Sequence, residues 1–277
     1  MILSCPAKVN LSLEVLGRYP DGYHRIASVM QTISLADTLT LEPSGEIRFR
    51  CDRPGLNIDD NLVVRAARLL QATAGYQGGA NIFLAKDIPE AAGLGGGSSD
   101  AAATLKGLHE LWGLGLPQER VKKIAAGLGS DVPFFLFGGT ALVEGRGEMV
   151  TPLPASGRIW LVLLRPPLIL PEKTRRLYGA LTPQHYTAGE HTELLTDALR
   201  GGQLLSEEMF FNAFEQVASG VFTGLEEYQR RFREAGAGRV HLAGSGPTLF
   251  ALFEHRGQAE EALTNLGGVE AYLAHTL

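Results

Sequence analysis

Pro89-Glu90-Ala91-Ala92-Gly93-Leu94-Gly95-Gly96-Gly97-Ser98-Ser99-Asp100 is the stretch on which the reading of this chain turns. Four glycines in the five positions 93–97 cannot hold a strand or fill a core, because each loses maximal backbone entropy on folding and offers no side chain. They predict a loop. Directly after it, Ala101, Leu105, Leu108 and Trp112 recur at spacings of four, three and four, one buried face of an α-helix. Ser98, Ser99 and Asp100 stand at the expected start of that helix as cap residues. Upstream, Gly79–Ala85 reads as a strand that delivers Lys86-Asp87-Ile88-Pro89 to the loop. A glycine loop feeding a helix N-terminus gathers unpaired N–H groups and the positive end of the helix dipole at one place, with no Cβ in the way. That is an anion site, and a nucleotide phosphate is the anion it predicts. The two common phosphate fingerprints do not match: Gly-Lys occurs nowhere, and G-x-G-x-x-G breaks at Ser98 counted from Gly93 and at Asp100 counted from Gly95. A plain surface turn seldom needs this many glycines.

The 277 residues, 45% hydrophobic and 20% charged, suffice for two domains. The shift to proline and small residues over Thr151–Gly157 places the expected boundary there, giving 1–154 and 155–277. A net charge of −5 argues against a general nucleic-acid surface or a polybasic membrane contact. Cys5 and Cys51 form no C-x-x-C, so neither a disulfide framework nor a cysteine zinc site is expected. With no apolar run of about 18 residues and no leader pattern at the N-terminus, a cytoplasmic location is expected, as monomer or weak homodimer.

From Lys8 to Leu16 apolar and polar residues alternate, predicting a half-buried strand with Lys8 and Asn10 side by side on its polar face. Pro20-Asp21-Gly22 is a turn, and Tyr23 and His24 follow it directly. Ser28–Leu41 reads as a strand and Gly45–Cys51 as a short one, and Asn61 offers a cap to a helix carrying Leu62, Ala66 and Leu69. Asp131, set against Val132, Pro133, Phe134 and Phe135, is either a base or the cap of a short helix. Later segments predict a strand at 159–165, helices at 172–181, 190–200 and 207–235 with a break near Ser219-Gly220, and a strand at 240–243. A turn at Gly244-Ser245-Gly246-Pro247, a strand at 249–253, a helix near 258–266 and a strand at 269–274 follow. This is a β/α mixture.

Pro6-Ala7-Lys8-Val9-Asn10-Leu11, the glycine stretch 89–99, and Leu242-Ala-Gly-Ser-Gly-Pro-Thr248 together resemble the three motifs of the GHMP small-molecule kinases, over nearly the whole chain. The resemblance implies an α+β, two-domain GHMP-kinase fold. Its N-terminal domain would have a left-handed-crossover-type β/α arrangement and its C-terminal domain a ferredoxin-like one. It also implies ATP as co-substrate and, from the reaction class, Mg2+. Gly17-Arg18-x2-Asp21-Gly22-Tyr23-His24 and Ser130-Asp131-Val132-Pro133-Phe134 resemble the branch of that family whose substrate is a cytidine diphosphate conjugate of a sugar alcohol, phosphorylated on a hydroxyl. Carried over by motif, Lys8 and Asp131 would be the catalytic pair. Pro89, Gly93, Leu94, Gly95, Gly96, Gly97, Ser98 and Ser99 would cradle the triphosphate, with Asn61 and Lys86 toward adenine. Asn10, Tyr23, His24 and Tyr178 would hold the cytidine-bearing substrate, and Gly244, Ser245 and Gly246 would close the site. No carboxylate is marked as a metal ligand. A homoserine- or mevalonate-type kinase, or a non-catalytic sensor on the same fold, are the rival readings. The Asp21–His24 segment disfavours the first and the Lys8/Asp131 pair the second.

Overall fold

Alternating apolar residues build two long strands at the start of the chain, β1 (Ile2–Arg18) and β2 (His24–Ser44). The tight turn between them is closed by Gly22 N–H to the Tyr19 carbonyl and Tyr19 N–H to the Tyr23 carbonyl. In the computed structural model, which describes residues 1–277, both strands outrun the sequence expectation. Pro6 lies inside β1, since its fixed φ suits extended backbone. There follow β3 (Arg48–Cys51), α1 (Leu62–Ala74), β4 (Gly79–Ala85), α2 (Gly96–Leu111), α3 (Gln118–Leu128), α4 (Val132–Phe137), β5 (Thr140–Gly145) and β6 (Met149–Pro152). Then come β7 (Trp160–Arg165), α5 (Lys173–Ala180), α6 (Glu190–Arg200), β8 (Phe211–Asn212), α7 (Glu215–Val221), α8 (Leu225–Glu234), β9 (His241–Leu242), β10 (Leu249–Phe253), α9 (Arg256–Asn265) and β11 (Glu270–His275). Strands and helices in this mixture form two sheets, as expected for the α+β class.

The chain divides into two compact units that interleave along the sequence. The first comprises Met1–Ala7, Ala36–Glu90 and Gly95–Gly138. In it β3 runs parallel to β4, and β4 pairs antiparallel with the second half of β2, Thr38 opposite Ala85 and Ser44 opposite Gly79. Helices α1 and α2 lie together: α1 buries one stripe, Val63, Ala66, Ala67 and Leu70, whereas α2 is buried at every position from Ser99 to Leu105 and again at Gly107 and Leu108. Trp112 closes α2, its indole N–H donating to the Gly79 carbonyl and its ring stacked on Tyr76.

The second unit comprises Lys8–Leu35, Ala91–Leu94 and Gly139–Leu277. The first half of β2 pairs antiparallel with β5, β5 with β6, and β1 with β8 in parallel. A four-stranded antiparallel sheet, ordered β11-β7-β10-β9, carries α9. Leu164, Leu177, Phe214, Phe222, Phe232 and Leu249 are among its core residues. The long helical run expected over 207–235 is interrupted twice. Phe210 is buried and Phe211-Asn212 form β8, while the break between α7 and α8 falls at 222–224, later than Ser219-Gly220. Asn212 explains the first interruption: its amide N–H donates to the carbonyls of Leu242 and Gly244 and its Oδ1 accepts from Phe214 N–H, bonds that fix an extended residue. The polar face of β1 is also not solvated. Lys8, Asn10, Ser12 and Glu14 are all buried, so the strand is covered on both sides.

Candidate functional site

In the first unit, β4 ends at Ala85 and the chain passes through Lys86-Asp87-Ile88-Pro89 toward the glycine loop. Helix α2 begins at Gly96, two residues before the expected start, with Gly95 as its N-cap in the left-handed region at φ +73°. Ser98 and Ser99 therefore lie in its first turn, and Asp100 is no cap. Ser99 N–H to the Gly95 carbonyl, 2.9 Å, is a first helical bond. The amides of Gly96, Gly97 and Ser98 come earlier, where a helix supplies no internal acceptor. A Cβ on Gly96 would stand 3.0 Å from Ile88 Cγ2 and 3.2 Å from Lys86 Nζ, so the helix begins at a residue where any side chain would press on both.

Asn61 and Lys86, the residues expected near adenine, have definite partners within this unit. Asn61 caps α1, its Oδ1 accepting from Val63 N–H and its Nδ2 donating to the Leu56 carbonyl. The Lys86 ammonium is buried between the carboxylates of Asp37 and Asp100. Burial works to lower its proton affinity, but the two carboxylates outweigh that and the net direction is upward. Burial likewise pushes Asp100 up to about 7, with Lys86 opposing and Asp37 reinforcing. The Cys5 thiol is pushed up by burial and by the same two carboxylates. Asp131 stands at the N-cap position of α4, yet its carboxylate makes no cap hydrogen bond.

In the second unit, Lys8, Asn10, Ala92–Leu94 and Gly244–Gly246 converge. Lys8 N–H donates to the Leu94 carbonyl, and Lys8 Nζ to Asn10 Oδ1 at 2.8 Å. Asn10 Nδ2 donates to Ser28 Oγ, and Ser28 in turn to the Ser12 carbonyl. Gly93, at φ +87°, leaves its missing Cβ 2.1 Å from the Ala243 carbonyl. Gly244, at φ +54°, leaves its own 2.8 Å from Lys8 Nζ and 2.9 Å from the Gly93 carbonyl. Both the dihedral and the clearance demand glycine at these two positions. Ser245 is held from α5, where Lys173 Nζ donates to its Oγ, to its carbonyl and to that of Gly246, and the Thr174 hydroxyl bonds the Ser245 hydroxyl.

His24 and Tyr178 are brought face to face in this unit, centroids 4.5 Å apart and planes within 14°. Tyr186 meets His24 edge-on and Phe214 does the same to Tyr178. Burial, with the Arg18 guanidinium behind it, holds the His24 imidazole below its usual value, which favours the neutral ring. Tyr23 goes elsewhere: it is exposed, with the Arg146 guanidinium over its ring at 4.8 Å and over Tyr19 at 5.0 Å. Arg146 also pairs with Asp21. Residues that sequence reasoning did not single out are Asp37, Asn212, Lys173 and Arg146, while Asp100 was noted only as a helix cap. Each acts on a backbone carbonyl or on a residue far away in the chain, and neither kind of partner leaves a local pattern.

Among groups of possible metal ligands, Glu14, Glu190 and His191 have ligand atoms within 4.8 Å of one another. The Glu14 carboxylate already accepts from the amides of His191 and Thr192 at the start of α6, and Glu190 accepts from Ala188 N–H. No helix is long and apolar enough to cross a membrane.

Residues 61–139 match the family model described as GHMP kinases N terminal domain, and residues 194–269 match GHMP kinases C terminal. A relative from Dehalococcoides mccartyi named 4-diphosphocytidyl-2-C-methyl-D-erythritol kinase is 48% identical, the alignment covering 100% of this chain and 98% of that one. One of the same name from Brevibacillus brevis is 38% identical over 96% of this chain and 92% of its own. A crystal structure of a 4-(cytidine 5'-diphospho)-2C-methyl-D-erythritol kinase superposes with a TM-score of 0.86 at 36% identity, covering 100% of this chain and 99% of that one. With both halves of the family matched and relatives this similar over their whole length, the chain belongs to the GHMP kinases.

Proposed function

We propose that the chain is an ATP-dependent kinase that phosphorylates the 2-hydroxyl of 4-diphosphocytidyl-2-C-methyl-D-erythritol, giving the 2-phosphate and ADP in non-mevalonate isoprenoid precursor synthesis. The observation that carries the reading is the buried Lys8 ammonium, held by Asn10 Oδ1 and set beside Gly244, where a Cβ would stand 2.8 Å from Nζ. The names of the full-length relatives favour this substrate over homoserine or mevalonate.

In this reading Asp131 accepts the hydroxyl proton, and Lys8 stabilises the negative charge that develops on the attacking oxygen. Asn10 Oδ1 fixes the lysine. Pro89 and Gly93–Ser99 cradle the triphosphate, with the unsatisfied first amides of α2 as donors. Asn61 and Lys86 are proposed nearer adenine only through backbone and outer edge, since both side chains have partners. A neutral His24 offers one donor and one acceptor to the cytosine edge, with Tyr178 as its stacking surface and Tyr23 at the rim. Because His24 and Tyr178 already touch, a base stacks on the outside of that pair unless the rings part. Gly244, Ser245 and Gly246 close the site, steadied by Lys173.

A magnesium ion supplies neutralisation of phosphate charge in this reaction class. The Glu14 cluster does not suit it, since Glu14 is committed to backbone amides; the Ser99 hydroxyl is the group proposed to reach the ion. The two matched family segments fall on either side of residue 154, which supports that residue as their boundary. A cytoplasmic monomer or weak homodimer that binds no nucleic acid completes the proposal.

The test is to supply ATP with the cytidine-diphospho sugar alcohol, homoserine and mevalonate separately and follow ADP. Release with the first alone is expected. Release with either of the others in preference to it, or with none, overturns the reading.

A further inference from the structure

Three buried side chains from separate elements of the first unit meet around one ammonium. Lys86, the first residue after β4, is ion-paired with Asp37 of β2 and, at 2.8 Å, with Asp100 of α2. The second oxygen of Asp37 accepts the amides of Asp87 at 2.7 Å and Ile88 at 2.8 Å. One carboxylate thus holds both the lysine and the backbone that runs into the glycine loop. The backbone of Lys86 is held as well, its N–H by Asp52 Oδ1 and its carbonyl by Arg53. On the far side of the loop, Asp100 lies one turn into α2, and the first residue of that helix is a glycine whose Cβ would stand 3.2 Å from Lys86 Nζ. Residues 86–88 and 96–100 are therefore tied together through a single side chain.

As a device for stability alone this arrangement is poor. Two carboxylates share one ammonium away from water, and Asp100 Oδ1 is buried without a hydrogen-bond partner. Packed apolar groups often serve a core at least as well as a buried ion cluster. What the cluster does supply is a fixed distance between the two ends of the loop.

We propose that Asp37, Lys86 and Asp100 are positioning residues for nucleotide phosphate: they set the span between Lys86–Ile88 and the first turn of α2, so that the loop amides are held ready before any ligand arrives. This rests on the reading of the loop as a triphosphate cradle.

The test uses the full chain as wild type, Asp100→Ala and Asp100→Asn. Amide hydrogen exchange over 86–100, ATP affinity by calorimetry, and KM for ATP and for the alcohol substrate are measured. Asp100→Ala is expected to speed exchange at Asp87, Ile88 and Gly96–Ser98 and to raise Kd and KM for ATP about tenfold, leaving KM for the alcohol within about twofold. Asp100→Asn, which can still accept from Lys86, should recover most of the loss. If alanine prevents folding, Asp100→Glu keeps the charges, lengthens the tie by one methylene and should give the same split. Equal rises in both KM values, unchanged exchange, or unchanged ATP affinity would each overturn the brace. A wild type that binds no ATP would instead overturn the kinase reading, and the nucleotide role with it.

Discussion

Lys8, 4% exposed, has to replace its water with protein acceptors, and Asn10 Oδ1 at 2.8 Å is one of them. The chain of bonds continues through Ser28 to the Ser12 carbonyl, so the ammonium is set by groups whose own positions are fixed. Asp131 differs in kind: it is only partly buried, and its carboxylate is not spent on the helix it precedes. If it is the base, Asp131→Asn should lower turnover by roughly 10² or more while leaving the dissociation constants of ATP and substrate within a few-fold. Single-turnover kinetics beside calorimetry separate the two quantities, and undiminished turnover would remove Asp131 from the chemistry. Lys8, Asn10 and Asp131 drew attention in the sequence through the segments that resemble GHMP-kinase motifs. Lys173 was not, since its partners are 72 and 73 positions away and two of its three acceptors are main-chain carbonyls that any residue could supply.

Among the elements, the β1–β2 turn shows how an exposed segment is held still. Arg146, from the hairpin joining β5 to β6, covers the rings of Tyr19 and Tyr23 and pairs with Asp21, so one guanidinium holds three residues of the turn that precedes His24. Arg146→Ala should raise KM for the cytidine substrate roughly three- to tenfold with KM for ATP unchanged, and lysine should rescue poorly because it cannot stack as a plane. Steady-state kinetics in each substrate decide this; a change confined to ATP would show that the turn serves the other ligand. The start of α2 gives a pH prediction. Asp100 has its folded value raised to about 7 by burial, above the roughly 3.9 of an unfolded chain. The folded state then binds the extra proton, so this residue's contribution is full below about pH 4 and is lost as pH rises toward 7. Melting midpoints of wild type should fall across that window more steeply than those of Asp100→Asn, and parallel curves would refute the shift. Most elements could be read from alternation and helical spacing, including β4, α1 and β7. The interruption at Phe211-Asn212 could not, because a polar stretch with helical composition was overridden by one amide reaching two distant carbonyls.

Over the whole molecule, a net charge of −5 gives no long-range attraction for a triphosphate or a diphosphate conjugate. Affinity has to come from local donors: glycine-freed amides, the first turn of α2 and the buried Lys8. Such contacts exist only in the folded chain, so each ligand should stabilise it by mass action. At about 100 times its dissociation constant, a ligand contributes about 2.7 kcal/mol. For a chain of this size that corresponds to a melting shift of roughly 5 °C or more. A non-hydrolysable ATP analogue and the cytidine-diphospho sugar alcohol should each produce it separately, since their proposed contacts use different residues, and together they should exceed either alone. Homoserine and mevalonate at the same concentrations should leave the midpoint unmoved. Differential scanning fluorimetry measures all of these without requiring turnover, so it tests recognition apart from chemistry. A shift from the analogue but none from the cytidine compound would leave the phosphate loop intact and strike out His24 and Tyr178 as the substrate's binding surface.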